Sequence, residues 1–458
     1  IPGFSQSGGL GLMSAEWMIE GEPTLDMFGW DLARFDKWAD RKFTRARVED
    51  QYTHRFAIHF PNEERGAGRP ARVRPAYEAQ KQRGAVFGLN CGWEHPLWYA
   101  DNPGEAETNG FTRQNWFDPV GREVTMLRET AGVIDISNFA NYVIKGPGAA
   151  DWLNRLLANR IPEIIGRSCL SPLIGKRGGV AGDFTVTKLA DDEFMMVGSG
   201  MAERYHKRFF NQVELPEGTT FEVATDRICG FNVAGPKSRE LLQRLTNADL
   251  STSEFPFMRS RRIEVAGVGC VAIRVSFSGD LGWELHCDAA DHERLFEALM
   301  EATSDVGGGP VGSRALGSLR IEKGYGSWGR EYSPEYWPQE VGLERLIKLD
   351  KDFLNKDAYL AVSENTPREV LSIFEVEVTD SADASGGEPI FLPDGRSVGR
   401  VTSGAYGYSV GKSLALGFAR EGTARPGDTV EIFILGKPHR ATMLETPPFD
   451  PAGARLRA

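Results

Sequence analysis

Gly146-Pro147-Gly148-Ala149-Ala150-Asp151-Trp152-Leu153-Asn154-Arg155-Leu156 and, 89 positions on, Gly235-Pro236-Lys237-Ser238-Arg239-Glu240-Leu241-Leu242-Gln243-Arg244-Leu245 are two copies of one pattern. Each reads Gly-Pro, four residues, a bulky apolar residue, Leu, an amide, Arg and Leu. Proline suits the first helical turn, where its missing N–H would have had no partner. The apolar positions 152, 153 and 156, and likewise 241, 242 and 245, then fall on one helical face. Each copy follows a short strand-like run, Tyr142-Val143-Ile144 or Gly230-Phe231-Asn232-Val233. Two copies of one strand-to-helix unit, within a stretch from about 118 to 350 where strands and helices alternate, predict a pseudo-symmetric α+β domain with a central cleft.

Working outward, the 458 residues suffice for several domains, and 41% apolar with 26% charged residues is an ordinary globular balance. The net charge of −11 opposes a sequence-independent grip on nucleic acid or anionic lipid, since both need clustered Lys and Arg. No run approaches the ~20 apolar residues of a membrane span. The five cysteines contain no CxxC pair and are odd in number, which points to a reducing compartment, and the seven scattered histidines suggest no metal site.

The flanks divide into three further segments. The chain opens Ile1-Pro2-Gly3, without Met, and the small residues from Gly3 to Gly11 read as a glycine-rich connection into a helix. Leu12, Ala15, Trp17 and Ile19 would be its packed positions and Gly21-Glu22-Pro23 its end, so residues 1–35 read as the close of a domain whose start is absent. Residues 36–105 carry a strand-like run, Arg55-Phe56-Ala57-Ile58-His59-Phe60, a Gly/Arg-rich loop and an aromatic cluster of Phe87, Trp93, Trp98 and Tyr99 that reads as core or an interdomain seam. Residues 366–458 alternate as strands around turns such as Pro393-Asp394-Gly395-Arg396 and Pro426-Gly427-Asp428, a small antiparallel barrel. Within it, Gly407-Tyr408-Ser409-Val410-Gly411-Lys412-Ser413 imitates a phosphate loop, but it is one residue short between the glycines and no helix follows.

Three places between 106 and 365 could carry chemistry; the third, Leu319 to Tyr325 with Trp328-Gly329-Arg330 and Glu340 to Arg345, is a charged and aromatic group that surface salt bridges would equally explain. After Gly178-Gly179, period two puts Asp183, Thr185 and Thr187 on one face of a strand and Phe184 and Val186 on the other. If that strand is internal, its acid borders a cavity and could move a proton; on an edge it would simply be solvated. In Arg274 to His286, a strand-turn-strand run, Glu284 and His286 share a face opposite Trp283 and Leu285, and Phe277 precedes the turn. An aromatic plate beside a carboxylate suits a flat heterocycle with amino and imino donors, such as a pterin, although a plain hairpin core fits the same residues.

Taken together, Arg128 to Ser137, the strand bearing Asp183, the turn from Gly279 to Glu284, and Leu319-Arg320-Ile321-Glu322-Lys323 resemble the folate-binding aminomethyltransferase domain of the glycine cleavage T-protein family. Gly8 to Arg34 resembles the tail of a flavin-dependent amine oxidase domain, and Gly84 to Trp98 resembles the linker region of the dimethylglycine and sarcosine dehydrogenases. The resemblance implies four segments: 1–35, the remnant of a FAD-dependent domain; 36–105, a linker domain; 106–365, the folate-binding domain; and 366–458, the barrel.

The resemblance also implies a two-stage reaction, in which FAD oxidises an N-methylamine and the one-carbon unit passes to tetrahydrofolate, giving 5,10-methylenetetrahydrofolate. The flavin domain belongs to the same chain or a separate subunit, and electrons leave to oxygen or an acceptor protein. Asp183 matches the acid at the folate's reacting nitrogens, with Phe184 and Thr185 beside it. Glu284 matches the pterin-holding acid, with Leu285 and His286 adjacent, and Phe277 stands where relatives have Tyr. Arg345 occupies a folate-lining position, where its charge suits a glutamate tail, while Leu316 stands where the T-protein has Arg. Ser7, Gly8, Gly9, Leu10 and Gly11 match a flavin-contacting stretch. A flavin-independent transferase and a non-catalytic docking module of the same fold are the alternatives. Bacterial cytoplasm and mitochondrial matrix suit the cysteine usage equally.

Overall fold

The computed structural model describes residues 4–458, so Ile1, Pro2 and Gly3 lie outside the described residues. Both copies of the repeat fold as the sequence predicts. Strand Ala140–Lys145 leads through Gly146 into helix Ala149–Leu156, and strand Ile228–Ala234 leads through Gly235 into helix Ser238–Gln243. Gly146 and Gly235 both hold φ +122°. A Cβ on either would lie 2.4 Å from a backbone oxygen, of Gly218 or of Leu127, so only glycine fits the turn.

Each copy builds its own sheet. The first lies in a five-stranded antiparallel sheet ordered 168–174, 180–190, 193–198, 140–145, 220–223. The second lies in a six-stranded sheet ordered 260–265, 268–273, 282–288, 228–234, 132–135, 309–311, of which only the last pair is parallel. Period two separates the faces. Tyr142, Phe184 and Phe194 bury one face of the first sheet with Trp152 and Phe210, and Phe231, Trp283 and Leu285 bury one face of the second with Leu241 and Leu295.

The opposite faces meet each other. Val143, Met195, Val197 and Leu189 of the first sheet share a cluster with Ile228 and Val271 of the second. Ser168 N–H donates to the Met258 carbonyl (2.9 Å) and Ser260 N–H to the Gly166 carbonyl (2.7 Å), which holds the two sheets together at one end. The result is a central cleft between two β-layers with helices outside.

The last segment is a closed barrel of six antiparallel strands, with the imitation phosphate loop as a hairpin turn between strands Ser397–Gly407 and Lys412–Arg420. It docks through stacked Tyr336 and Phe418 (3.8 Å) and through hydrogen bonds to buried charges: Thr402 and Ser403 donate to Glu331 (2.7 and 2.6 Å), and Ser409 accepts from Arg128 (3.0 Å) and donates its N–H to Glu322 (2.8 Å). The aromatic cluster of the second segment is a seam. Trp98, fully buried in strand Trp93–Tyr99, packs with Val120, Leu127 and Leu319, and Ala76 and Ala79 join the core of the six-stranded sheet.

Two expectations fail. Arg55 to Phe60 is no strand. It unwinds from helix Arg41–Thr53 as turn and coil, with Phe56 and Ile58 exposed, because no neighbouring strand offers it ladder hydrogen bonds. At the start, Ser7 to Gly11 are the first turns of helix Ser7–Glu20 and not a loop ahead of it. Leu12 and Ile19 are exposed there and Met13 is the buried residue, so the helix does not pack by the predicted face. It ends at Gly21 in the left-handed conformation, as expected.

Candidate functional site

Strand Val180–Ala190 is internal to its sheet, and Thr185 pairs with Val197 and Thr187 with Met195. Directly paired residues share a face, so Asp183, Thr185 and Thr187 lie on the cleft side with that Val and Met. Asp183 is recessed but still reached from the cleft, and its side chain makes no ion pair among the described residues. Burial pushes its carboxyl up to about 6 from 3.8. That is the range in which a carboxyl both gives and takes a proton near neutrality.

The facing strand follows the same rule. Glu284 pairs with Asn232, and His286 with Gly230 and Val271, so these side chains look into the cleft from the other sheet. His286 Nε2 lies 3.4 Å from Glu284 Oε2. Asn232 donates to the Val275 carbonyl (3.2 Å) and accepts from Ser276 Oγ (3.2 Å), so it fixes the chain that leads to Phe277.

A third wall comes from residues 323–333. Tyr325 stacks on Phe277 (5.8 Å between centroids, 22° between planes). Trp328 Nε1 donates to the Ala181 carbonyl (3.0 Å), two residues from Asp183. Burial, and after it the charge of Asp183, pushes the Tyr332 phenol up. The loop is held by fully buried Glu331, which takes hydrogen bonds from Arg320 (2.9 Å), Ser403 (2.6 Å), Thr402 (2.7 Å) and the Ser327 N–H (3.0 Å). Phe28 packs edge-on against Trp328 (4.8 Å), and Asp31 pairs with Arg208 (2.7 Å), so the N-terminal segment braces this wall from outside.

Not every candidate enters the cleft. Phe184 and Leu285 are fully buried on the outward faces of their sheets, so only their backbones border it. Arg345 is exposed on a turn of 3₁₀ helix, Glu344–Leu346, and its guanidinium makes no hydrogen bond or ion pair among the described residues. A Cβ placed on Gly8, Gly9 or Gly11 would meet no described residue within 4 Å beyond its chain neighbours and the backbone of its own helix. Asn232 and Tyr332 were missed, and Tyr325 was singled out only as part of a charged and aromatic group. Asn232 lies inside the quoted repeat strand, and its period-two position opposite Phe231 and Val233 was the available signal.

Residues 76–351 match the GCVT N-terminal domain, 370–450 the glycine cleavage T-protein C-terminal barrel domain, and 20–73 the FAD dependent oxidoreductase central domain. The chain belongs to the glycine cleavage T-protein family. It is 35% identical over 464 residues to mitochondrial dimethylglycine dehydrogenase of Mus musculus, covering 99% of this chain and 53% of that protein. It is 29% identical to mitochondrial sarcosine dehydrogenase of Homo sapiens, covering 99% of this chain and 55% of that protein. The chain thus spans about half the length of the curated relatives it matches. Among solved structures, the glycine cleavage aminomethyltransferase T from Bartonella henselae shares the fold, with TM-score 0.72 and 23% identity over 83% of this chain and 98% of that one. The match to the GCVT N-terminal domain starts at Ala76, and Ala76 and Ala79 pack in the core of the six-stranded sheet.

Proposed function

We propose that this chain is the folate-dependent half of an N-demethylating amine dehydrogenase or oxidase of the dimethylglycine or sarcosine type. In this reading it transfers the one-carbon unit of an oxidised N-methylamine to tetrahydrofolate, giving 5,10-methylenetetrahydrofolate. The observation that carries it is the pair of acids on facing β-layers, Asp183 with a raised, unpaired carboxyl and Glu284 beside His286. Membership of the glycine cleavage T-protein family and the oxidoreductase match at 20–73 support it.

The residues fit a reduced pterin. An unpaired recessed carboxyl, an acid with a neighbouring imidazole and an aromatic plate backed by Tyr325 match its amines, its donor edge and its ring. Tetrahydrofolate supplies the two nitrogens that accept the one-carbon unit. Asp183 takes the proton released as carbon bonds to nitrogen and stabilises positive charge nearby, which its desolvated site makes effective. Glu284 accepts hydrogen bonds from the ring's donors, His286 orients it, Phe277 stacks and Thr185 lines the same face. Arg345 is available to a carboxylate outside the cleft. FAD supplies the oxidation of the N-methyl group, with Ser7 to Gly11 as a partial contact and the rest held by a flavin domain.

Calorimetric titration of the chain with tetrahydrofolate, beside Asp183→Asn and Glu284→Gln, tests this. One-site binding weakened by Glu284→Gln is expected. A well-folded chain that does not bind would overturn the reading in favour of a docking module.

A further inference from the structure

Strand Val180–Ala190 is irregular just before it reaches Asp183. Across from it in strand Ser168–Ile174, Leu173 pairs with Gly182 and Ile174 with Val180. Ala181 is therefore an extra residue, a β-bulge two positions ahead of the acid. The side chains record it. Ala181 packs in the outward core with Phe184, and a Cβ on Gly182 would point there too, 2.9 Å from Phe184 and 2.8 Å from the His206 ring. Two adjacent residues thus turn to one face, and alternation resumes with Asp183 on the cleft side. The start of the strand is fixed separately. Val180 N–H donates to the Tyr336 carbonyl (2.9 Å), and a Cβ on Gly179 would lie 2.0 Å from the Pro334 carbonyl oxygen. With that end held, the bulge decides which way the carboxyl of Asp183 points.

A bulge takes a residue out of the ladder, so its buried carbonyl needs a donor from elsewhere. Trp328 is that donor, with Nε1 at 3.0 Å from the Ala181 oxygen. The indole is itself gripped by rings: Phe28 meets it edge-on at 4.8 Å, His206 at 5.2 Å, and Tyr205 lies at 5.6 Å. Phe28 belongs to the segment that matches the FAD dependent oxidoreductase central domain, so that segment reaches the bulge through a single side chain. Burial pushes His206 down to about 3, so its ring packs there uncharged. In the loop that carries Trp328, burial pushes the Tyr332 phenol up. Against its burial, Arg320 and the Ser403 and Thr402 hydroxyls hold Glu331 below its usual range. None of these three groups changes charge near pH 6, where Asp183 does.

We infer that Trp328 is a positioning residue: by holding the Ala181 carbonyl it maintains the bulge that aims Asp183 into the cleft. The inference rests on Asp183 being the proton-moving acid of the proposed reaction. The indole N–H is the working part, because another aromatic ring would fill the same space and leave the carbonyl without a donor.

The test compares wild type, Trp328→Phe, Asp183→Asn and the double variant in the 458-residue chain. Three quantities are read: the rate of 5,10-methylenetetrahydrofolate formation from tetrahydrofolate and formaldehyde, its pH profile, and tetrahydrofolate affinity. Trp328→Phe should slow the saturated rate about ten- to a hundredfold, the scale of a misplacement of about 1 Å, and change affinity less than about threefold. The inflection at about 6 should move down as the carboxyl gains contact with water. On top of Asp183→Asn the same change should cost no further rate, because both act through one group. Trp328→His, which restores a ring N–H, should recover part of the loss. A Trp328→Phe chain that melts lower but keeps its rate and inflection overturns the inference and leaves Trp328 a core residue. Equal slowing in the Asp183→Asn background overturns it as well. If Asp183→Asn itself keeps the wild-type rate, the reading of the cleft fails and takes the inference with it. If Trp328→Phe does not fold, Phe28→Leu, which loosens the indole from outside, is read in its place. A smaller slowing with the same downward shift is then expected, and no change in either overturns the inference.

Discussion

The strands Val180–Ala190 and Gly282–Asp288 are counterparts in the two halves of the molecule, and each presents one acid to the same cleft. They treat that acid differently. Asp183 has no ion-pair partner among the described residues, and desolvation raises its proton affinity. Glu284 stands next to His286 and opposite Asn232, among groups that hydrogen-bond. A symmetric scaffold thus offers two electrostatic settings, one suited to moving a proton and the other to holding a ligand. The local rule that places both acids is identical, and the environment assigns the roles.

The largest effect that could break this division is on rate. Asp183→Asn should slow formation of 5,10-methylenetetrahydrofolate from tetrahydrofolate and formaldehyde by about 10²–10⁴-fold while changing tetrahydrofolate affinity less than about threefold. The wild-type rate should rise through pH of about 6, where Asp183 ionises, and the variant should lose that inflection. A variant that loses affinity and keeps its rate would reverse the two roles.

Next come the turns that make the halves alike. Gly146→Ala and Gly235→Ala each force a side chain into φ +122° and against a carbonyl 2.4 Å away. Each should destabilise by about 2–4 kcal/mol in thermal unfolding. A large difference between them would show that the two copies no longer share one constraint.

Glu284→Gln should then weaken tetrahydrofolate by about ten- to a hundredfold, the cost of a charged hydrogen-bond partner, with a much smaller effect on the rate at saturation.

The smallest effect concerns stability. The folded-state carboxyl of Asp183 holds its proton up to about 6, against 3.8 for an unburied one. The stability linked to that proton is fully present below about pH 4 and is lost as pH rises through 6. Asparagine mimics the neutral acid at every pH, so Asp183→Asn should be the more stable protein at pH 7, by about 1–3 kcal/mol, with the gap closing by pH 4. Melting curves at the two pH values check it. A variant less stable at pH 7 would mean that the ionised carboxylate has a structural partner.

Much of this was legible from residues in order. The duplicated Gly-Pro unit announced two similar halves, and alternation put Asp183 opposite Phe184 and Glu284 opposite Leu285, as observed. The failures lie where a local pattern lacks a tertiary partner. Arg55 to Phe60 has strand composition but no neighbouring strand to pair with, and the early glycines tolerate a helix that their flexibility did not suggest.

What the sequence determined by itself is therefore everything that rests on short-range geometry: the repeat, the turn glycines, the face on which each acid stands and the barrel's alternating strands. Only the tertiary structure decided that the two acid-bearing faces look at each other and that Tyr325 backs Phe277. Those facts depend on desolvation and on contacts between residues far apart along the chain, and a local pattern carries no record of either.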